Sequence, residues 1–261
     1  METSPSEERK YDLKVTIAKT RRQMGEAAAQ AAAQAMRALG REKEKINIIF
    51  AAAPSQNEFL SALAKEKDLP WEKVRAFQMD DYVDLDEKAP QRFSNYLEEH
   101  IWSQVPLGRV ERIAPVSEEE SEAEILRYDR LLREHPIDIA FIGIGENGHI
   151  AFNDPDVADF FDPLNIKKIP MDEVSRLQQV HDGCFAALKE VPRAALTVTL
   201  PPILRARHII CTVPALAKAQ AVKDALCGPI GTACPASALR LSGRAQLFLD
   251  EDSASLLKEK A

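Results

Sequence analysis

"IDIAFIGIG" (137–145) is the stretch that decides the fold. Its apolar residues run on without the alternation of a half-solvated strand, which predicts a strand buried on both faces. The run then breaks into glycines and continues as "ENGHIAFNDP" (146–155). Outward from it lie further apolar runs: "INIIFAAA" (46–53), "VRAFQM" (74–79), "VERIAPV" (110–116), "RHIICTV" (207–213) and "AQLFLD" (245–250), with "LNIKKIPM" (164–171) and "AALTVTL" (194–200) as further strands. Helix-forming segments separate them. These are 21–39, ended by Gly40; a run to about Lys67; 92–103; 117–135 with Ser117 as N-cap; 173–188; 215–226; and the C-terminal end. Alternating buried strands and helices predict an α/β fold: a three-layer, doubly wound, mostly parallel sheet with helices on both faces, Rossmann-like in plan. No linker or repeat interrupts residues 1–261, so a single domain is expected, with 1–12 as a flexible tail.

The composition narrows the function. The 261 residues are long enough to bury a sizeable core, and 45% hydrophobic with 29% charged is an ordinary globular balance. A net charge of −7 argues against a nucleic-acid partner, which needs a basic footprint. No apolar run is long enough for a membrane span, and the N-terminus lacks an apolar signal core. Cys184, Cys211, Cys227 and Cys234 match no zinc or redox spacing, so free thiols and a cytoplasmic location are expected.

Ligands of open parallel sheets bind beyond the carboxyl ends of the strands. Ser55 and Gln56 follow the strand at 46–53. Asp80 and Asp81 follow the strand at 74–79. Asn147, His149 and Asp154 follow the strand at 137–145, and after the strand at 207–213 comes the helix over 215–226, with Lys218 three residues into it. Neighbours in an extended segment point to opposite faces, so only one of Asp80 and Asp81 is expected to face the crevice. A partly buried carboxylate at a strand end suits a general base. Gly145 and Gly148 allow backbone to approach a ligand closely. Lys218 near a helix N-terminus suits a phosphate, and Arg176, Gln178 and Gln179 are further donors. The run "GIGENG" superficially matches a dinucleotide fingerprint, but no long helix opens on its last glycine. His149, Asp154 and Asp80 show no metal-motif spacing, so no metal is expected.

"FQMDDYVDL" (77–85) together with "GIGENGHIAFNDP" (143–155) resembles the glucosamine-6-phosphate deaminase family, which shares its fold with 6-phosphogluconolactonases and with sugar-binding domains of some bacterial regulators. Weaker similarity runs through "VPRAALTVTLP" (191–201), Lys218 and "CPASALRL" (234–241). The resemblance implies a deaminase/isomerase-type fold and hydrolytic deamination of a sugar phosphate coupled to aldose–ketose isomerisation, without metal or organic cofactor. It implies Asp80 as the base that moves a proton between C1 and C2, with Asp81 in place of a neighbouring acid. His149 would assist ring opening, and Asp154 would orient it where the family usually has glutamate. Lactone hydrolysis and non-catalytic binding of a sugar phosphate are the alternatives, and assembly as a homo-oligomer is left open.

Two departures from the family pattern stand out. Asn147 occupies a position usually held by aspartate. If that couple works through charge, the amide costs about 1–2 kcal/mol, roughly tenfold in rate. Pro54 to Glu58 replaces a loop usually rich in glycine and threonine, and Glu58 adds a negative charge near the expected phosphate.

Overall fold

The strand at the centre of the molecule, Ile139–Ile142, has parallel neighbours on both sides and is wholly buried. The computed structural model describes residues 13–257, so the expected tail at 1–12 lies outside the described residues, as do 258–261. In chain order the elements are β1 (Lys14–Ala18), α1 (Arg21–Glu42), β2 (Ile46–Phe50), α2 (Asn57–Lys65), β3 (Val74–Gln78), β4 (Asp80–Tyr82), α3 (Phe93–Leu97), β5 (Arg109–Glu111), α4 (Ser121–Glu134) and β6 (Ile139–Ile142). There follow β7 (Ile166–Pro170), α5 (Glu173–His181), β8 (Ala194–Val198), α6 (Leu200–Leu204), β9 (His208–Val213), α7 (Ala219–Cys227) and β10 (Ala245–Asp250).

Seven strands form one sheet in the order β1-β10-β9-β6-β2-β3-β5, every pair parallel. The chain winds from β2 outward to β3 and β5, then returns to place β6 on the other side of β2. The β2/β6 gap is therefore the point where the winding reverses, the usual position of a ligand crevice in such sheets. Apolar side chains fill both faces. One side packs α1, α2 and α3 against Ile46, Ile48, Phe50 and Phe141; the other packs α4, α6 and α7 against Ile49, Ile142, Ile209 and Leu247. Phe141 meets Phe50 and Phe59 edge-on with centroids 5.1 and 5.0 Å away, and burying each such ring stabilises the fold by roughly 1.5–3 kcal/mol.

Helix α1 is capped by Thr20, whose hydroxyl accepts from Gln23 N at 3.2 Å. Its buried face is alanine and methionine, and Gly25 lets it close on α2: a Cβ there would stand 2.7 Å from Glu58. The helix does not stop at Gly40 but runs on to Glu42. That glycine makes room for Pro70 instead, whose Cγ would lie 2.7 Å from an added Cβ.

A second sheet, β4-β8-β7, is antiparallel throughout. The strands expected at 164–171 and 194–200 are therefore real but do not belong to the parallel sheet. Four other expectations shift. The segment 92–103 is α-helical only over Phe93–Leu97 and continues as a π-turn over Glu98–Trp102. The helix expected from 117 starts at Ser121, because Ser117 closes a preceding turn, its carbonyl accepting from Glu120 N at 3.2 Å and Ser121 Oγ at 2.9 Å. The helix expected over 173–188 ends at His181. The described C-terminal end is a 3-10 turn, Ser255–Leu257.

Candidate active site

The carboxyl ends of β2, β3 and β6 open onto a crevice. Ala51, Ala52, Ala53, Ser55 and Gln56 line it from β2, Met79 and Asp80 from β3, and Gly143, Ile144 and Gly145 from β6. His149, Ala151 and Phe152 close one side, Phe93 another, and Gln178 and Gln179 reach in from α5.

Asp80 sits where the chain leaves the parallel sheet and begins to pair with β8. Burial, then the negative charges of Asp81 and Asp154, pushes its carboxyl well above the ordinary range, and no hydrogen bond offsets them. Asp81 turns the other way, as expected of a neighbour in an extended segment. Its Oδ2 accepts from Arg92 Nη2 at 2.9 Å and Gln78 Nε2 at 2.7 Å, and its Oδ1 from the backbone N–H groups of Tyr82 at 2.9 Å and Phe93 at 3.3 Å. Four donors leave it no free lone pair for a substrate, so its expected place in binding becomes an anchor. It clamps Arg92 and Phe93, and Phe93 stacks on Phe152 with centroids 5.6 Å apart.

His149 is delivered by a tight loop. Gly145 N donates to His149 O at 2.9 Å and Gly148 N to Gly145 O at 3.0 Å. Gly148 has φ +84°, the left-handed region that glycine adopts without strain, and Ala151 takes φ 51°. Gly148 lies under the loop against Cys234, where an added Cβ would come within 2.6 Å of Sγ, so it shapes the loop and does not line the crevice. Gly145 does line it, and has no room for a side chain: a Cβ would lie 2.1–2.3 Å from three atoms of the His149 ring. The loop is tied to the second sheet by Asn153 Nδ2, which donates to Val198 O at 2.9 Å, and by Phe152 N, which donates to Thr197 Oγ1 at 3.1 Å. Strand β8 thus joins the loop carrying His149 to the strand carrying Asp80.

His149 Nδ1 faces three oxygens: Asn147 Oδ1 at 2.8 Å, Ser175 Oγ at 2.9 Å and Asp154 Oδ1 at 3.0 Å. Three acceptors fix the proton on Nδ1 and leave Nε2 as the lone pair turned to the crevice. The amide of Asn147 fits only one way. Its Oδ1 accepts from His149 Nδ1 and from His149 N at 3.1 Å, and its Nδ2 donates to Asp154 Oδ1 at 3.0 Å. Burial alone would raise the Asp154 carboxyl. The hydrogen bond and charge of His149, with the donors of Asn147 and Ser175, outweigh it and hold the group below its ordinary range.

The remaining expected donors divide. Ser55 faces the crevice. Gln56 is held by β9, Thr212 Oγ1 donating to its Oε1 at 2.8 Å. Gln179 accepts from Tyr82 Oη at 2.8 Å, so its amide nitrogen is the end left to the crevice. Arg176 is not available: its guanidinium donates to the carbonyls of Leu188, Val191 and Pro192 at 2.7–3.1 Å and fastens the chain after α5. Glu58 does not oppose a ligand, because its carboxylate pairs with Arg21 at 3.0 Å, away from the crevice lining.

Lys218 is not inside a long helix, as expected, but ends a 3-10 turn and caps α7. Ala215, which starts that turn, is held at φ 82° by both oxygens of Asp250, at 3.1 and 3.0 Å from its N–H. Lys218 is 4% exposed and its Nζ has no hydrogen-bond partner among the described residues. Burial lowers its pKa, opposed by the charges of Asp182 and Glu146. Those two residues flank Gln178, whose Oε1 accepts from Glu146 N at 2.9 Å and whose Nε2 donates to Asp182 at 3.3 Å. The ammonium thus feels the two carboxylates that flank Gln178, a residue of the crevice lining, but does not itself line the crevice. Among the described residues, no lysine or arginine lines the crevice itself.

Ser175, Arg92, Phe93 and Phe152 were not among the residues expected from sequence. For Ser175 the signal was present: Ser175, Gln178 and Gln179 recur at helical spacing, a polar stripe that the structure buries against the crevice.

The model of the glucosamine-6-phosphate isomerases/6-phosphogluconolactonase family matches residues 19–248. The chain belongs to this family. Among the relatives of this family member is a glucosamine-6-phosphate deaminase of Listeria monocytogenes, 34% identical over 214 residues, covering 82% of this chain and 88% of the relative. One from Halothermothrix orenii is 32% identical over 200 residues, covering 76% and 81%. A solved monomeric glucosamine-6-phosphate deaminase superposes with TM-score 0.84 at 25% identity, covering 94% of this chain and 100% of that one. The 6-phosphogluconolactonase of Trypanosoma brucei superposes with TM-score 0.76 at 17% identity, covering 94% and 98%, a likeness of fold. No helix among the described residues is long and apolar enough to cross a membrane.

Proposed function

We propose that the protein deaminates an amino-sugar phosphate such as glucosamine 6-phosphate, coupling aldose–ketose isomerisation to hydrolytic release of ammonia. The observation that carries this reading is the pairing, across one crevice, of a desolvated Asp80 carboxyl with the Nε2 lone pair of His149. His149 Nε2 takes the proton of the anomeric hydroxyl and passes it to the ring oxygen as the C1–O5 bond breaks, giving the open aldose. The Asp80 carboxylate removes the C2 proton while O1 takes one from solvent, forming an enolamine, and then returns its proton to C1, which leaves the C2 imine protonated. The resulting C2 imine adds water and expels ammonia, leaving a ketose. A carboxyl raised toward neutrality suits this proton traffic, because it is a stronger base once ionised. These steps ask nothing of a metal. Binding of the phosphate falls to Lys218, with Ser55 and backbone amides of the 53–56 loop.

Incubation with glucosamine 6-phosphate is expected to release ammonia and ketose phosphate in equal amounts. Absence of ammonia from every hexosamine phosphate sinks the reading, and turnover of 6-phosphogluconolactone without ammonia assigns the chain to lactone hydrolysis. Lys218→Met is expected to raise KM for the phosphorylated sugar about tenfold to a hundredfold, the worth of one hydrogen bond to a charged group. The variant should leave KM for the unphosphorylated amino sugar unchanged, and an equal rise for both removes Lys218 from phosphate recognition.

A further inference from the structure

Three groups surround the Asp154 carboxylate, and only one of them, His149, belongs to the proton transfers above. The others are neutral donors. Asn147 Nδ2 reaches Asp154 Oδ1 at 3.0 Å, and the Ser175 hydroxyl donates to the same oxygen while its own lone pairs face His149 Nδ1 at 2.9 Å. Ser175 is fully buried, in the first turn of α5 behind the Asp172 cap, where helix N–H groups also favour a negative charge. Asp154 Oδ2 is buried without a hydrogen-bond partner among the described residues, so the donors described here all reach this carboxylate through Oδ1.

We propose that Ser175 is a positioning residue of the ring-opening couple: its hydroxyl, wedged between Asp154 Oδ1 and His149 Nδ1, keeps Asp154 a carboxylate and keeps the imidazole turned with Nε2 toward the crevice. The geometry explains how the couple works with an amide at 147. Only one full negative charge lies within contact of the imidazole, and two neutral donors stabilise it. A second carboxylate at 147 would stand 3.0 Å from Asp154, where like charges raise each other's affinity for a proton. The charged or titratable groups facing Asp154 are His149 from its own loop and Asp80 from β4. Asp80 and Asp154 repel each other's negative charge, so Asp80 works against the ionised form of Asp154. His149 is the largest influence that keeps Asp154 ionised, and the Asn147 and Ser175 donors add to it.

The consequence has a definite sign. Asp154 is held below its ordinary range in part by Ser175. Removing that donor raises the pH at which the carboxylate takes up a proton, and His149 loses its partner sooner as pH falls. In Ser175→Ala the acid limb of the kcat/KM profile is expected to move to higher pH. At the optimum kcat should fall about tenfold, one charge-assisted hydrogen bond, with KM within about threefold of wild type. Ser175→Cys, a weaker donor in the same place, should fall between the two and supplies the same comparison if the alanine variant does not fold.

This inference rests on the deaminase reading, so a second measurement is made on the unliganded protein. The 13C carboxyl resonance of Asp154, assigned by its loss in Asp154→Asn, should titrate at higher pH in Ser175→Ala than in wild type. That shift is expected whether or not ammonia is released from any sugar. Coincident titrations, or a loss of kcat with the pH limbs unmoved, would make Ser175 a packing residue and overturn the proposal.

Discussion

Asp80→Asn is expected to fold normally and to lose turnover, with kcat/KM reduced by about 10²–10⁴-fold, the usual contribution of a positioned general base. The amide keeps the shape and removes only the lone pair that takes the C2 proton. Stability should change in the opposite direction to activity. The Asp80 carboxyl ionises in the unfolded chain near its ordinary pKa, but in the folded protein only well above it. Between those two values the native state holds the extra proton, so this group lowers stability as pH rises. Asparagine lacks that dependence. The variant should therefore gain on wild type in urea-melt stability as pH rises above the ordinary carboxylate range, while ammonia release is lost. A variant that is inactive and also less stable at every pH would point to a structural aspartate.

Gly145→Ala tests the same site by steric means. The new methyl group would coincide with the His149 ring, 2.1–2.3 Å from three of its atoms. The ring cannot yield without leaving Asn147, Ser175 and Asp154. Displacement of a reacting group by about 1 Å costs on the order of 10²-fold in rate, and a loss of at least that size is expected. Overpacking should cost a further roughly 1–3 kcal/mol of stability, read from the same urea melts. Gly143→Ala is the matched control. There the nearest atom is Gln56 Nε2 at 3.0 Å, a contact that a shift of a few tenths of an ångström relieves without touching the His149 ring, and most of the activity should survive.

The parallel sheet was readable because strands buried on both faces appear as unbroken apolar runs, and Asp80, His149 and Asp154 were readable because they follow such runs. Strand β1 was not seen. "KVTIA" is a sheet edge with Val15 and Ile17 half-exposed, so it lacks the wholly apolar run by which the other strands were found. The second sheet escaped for the opposite reason. "AALTVTL" is as apolar as any central strand, and nothing local says that its partner is β4 and antiparallel. Side-chain destinations were the least legible. Arg176 and Ser175 are neighbours, but they leave α5 in different directions. One reaches out to carbonyls of the following turn and the other inward to His149. Only the placement of the helix decides which of the two serves the site.

The two halves of the chemistry stand on different hydrogen-bond ladders. His149 follows β6, a central strand of a seven-stranded sheet, whereas Asp80 begins a three-residue strand whose sheet partner is β8. Strand β8 spans the two: it pairs with β4 and bonds Phe152 and Asn153 of the loop after β6. The spacing of base and imidazole is therefore set by a third strand that carries neither of them.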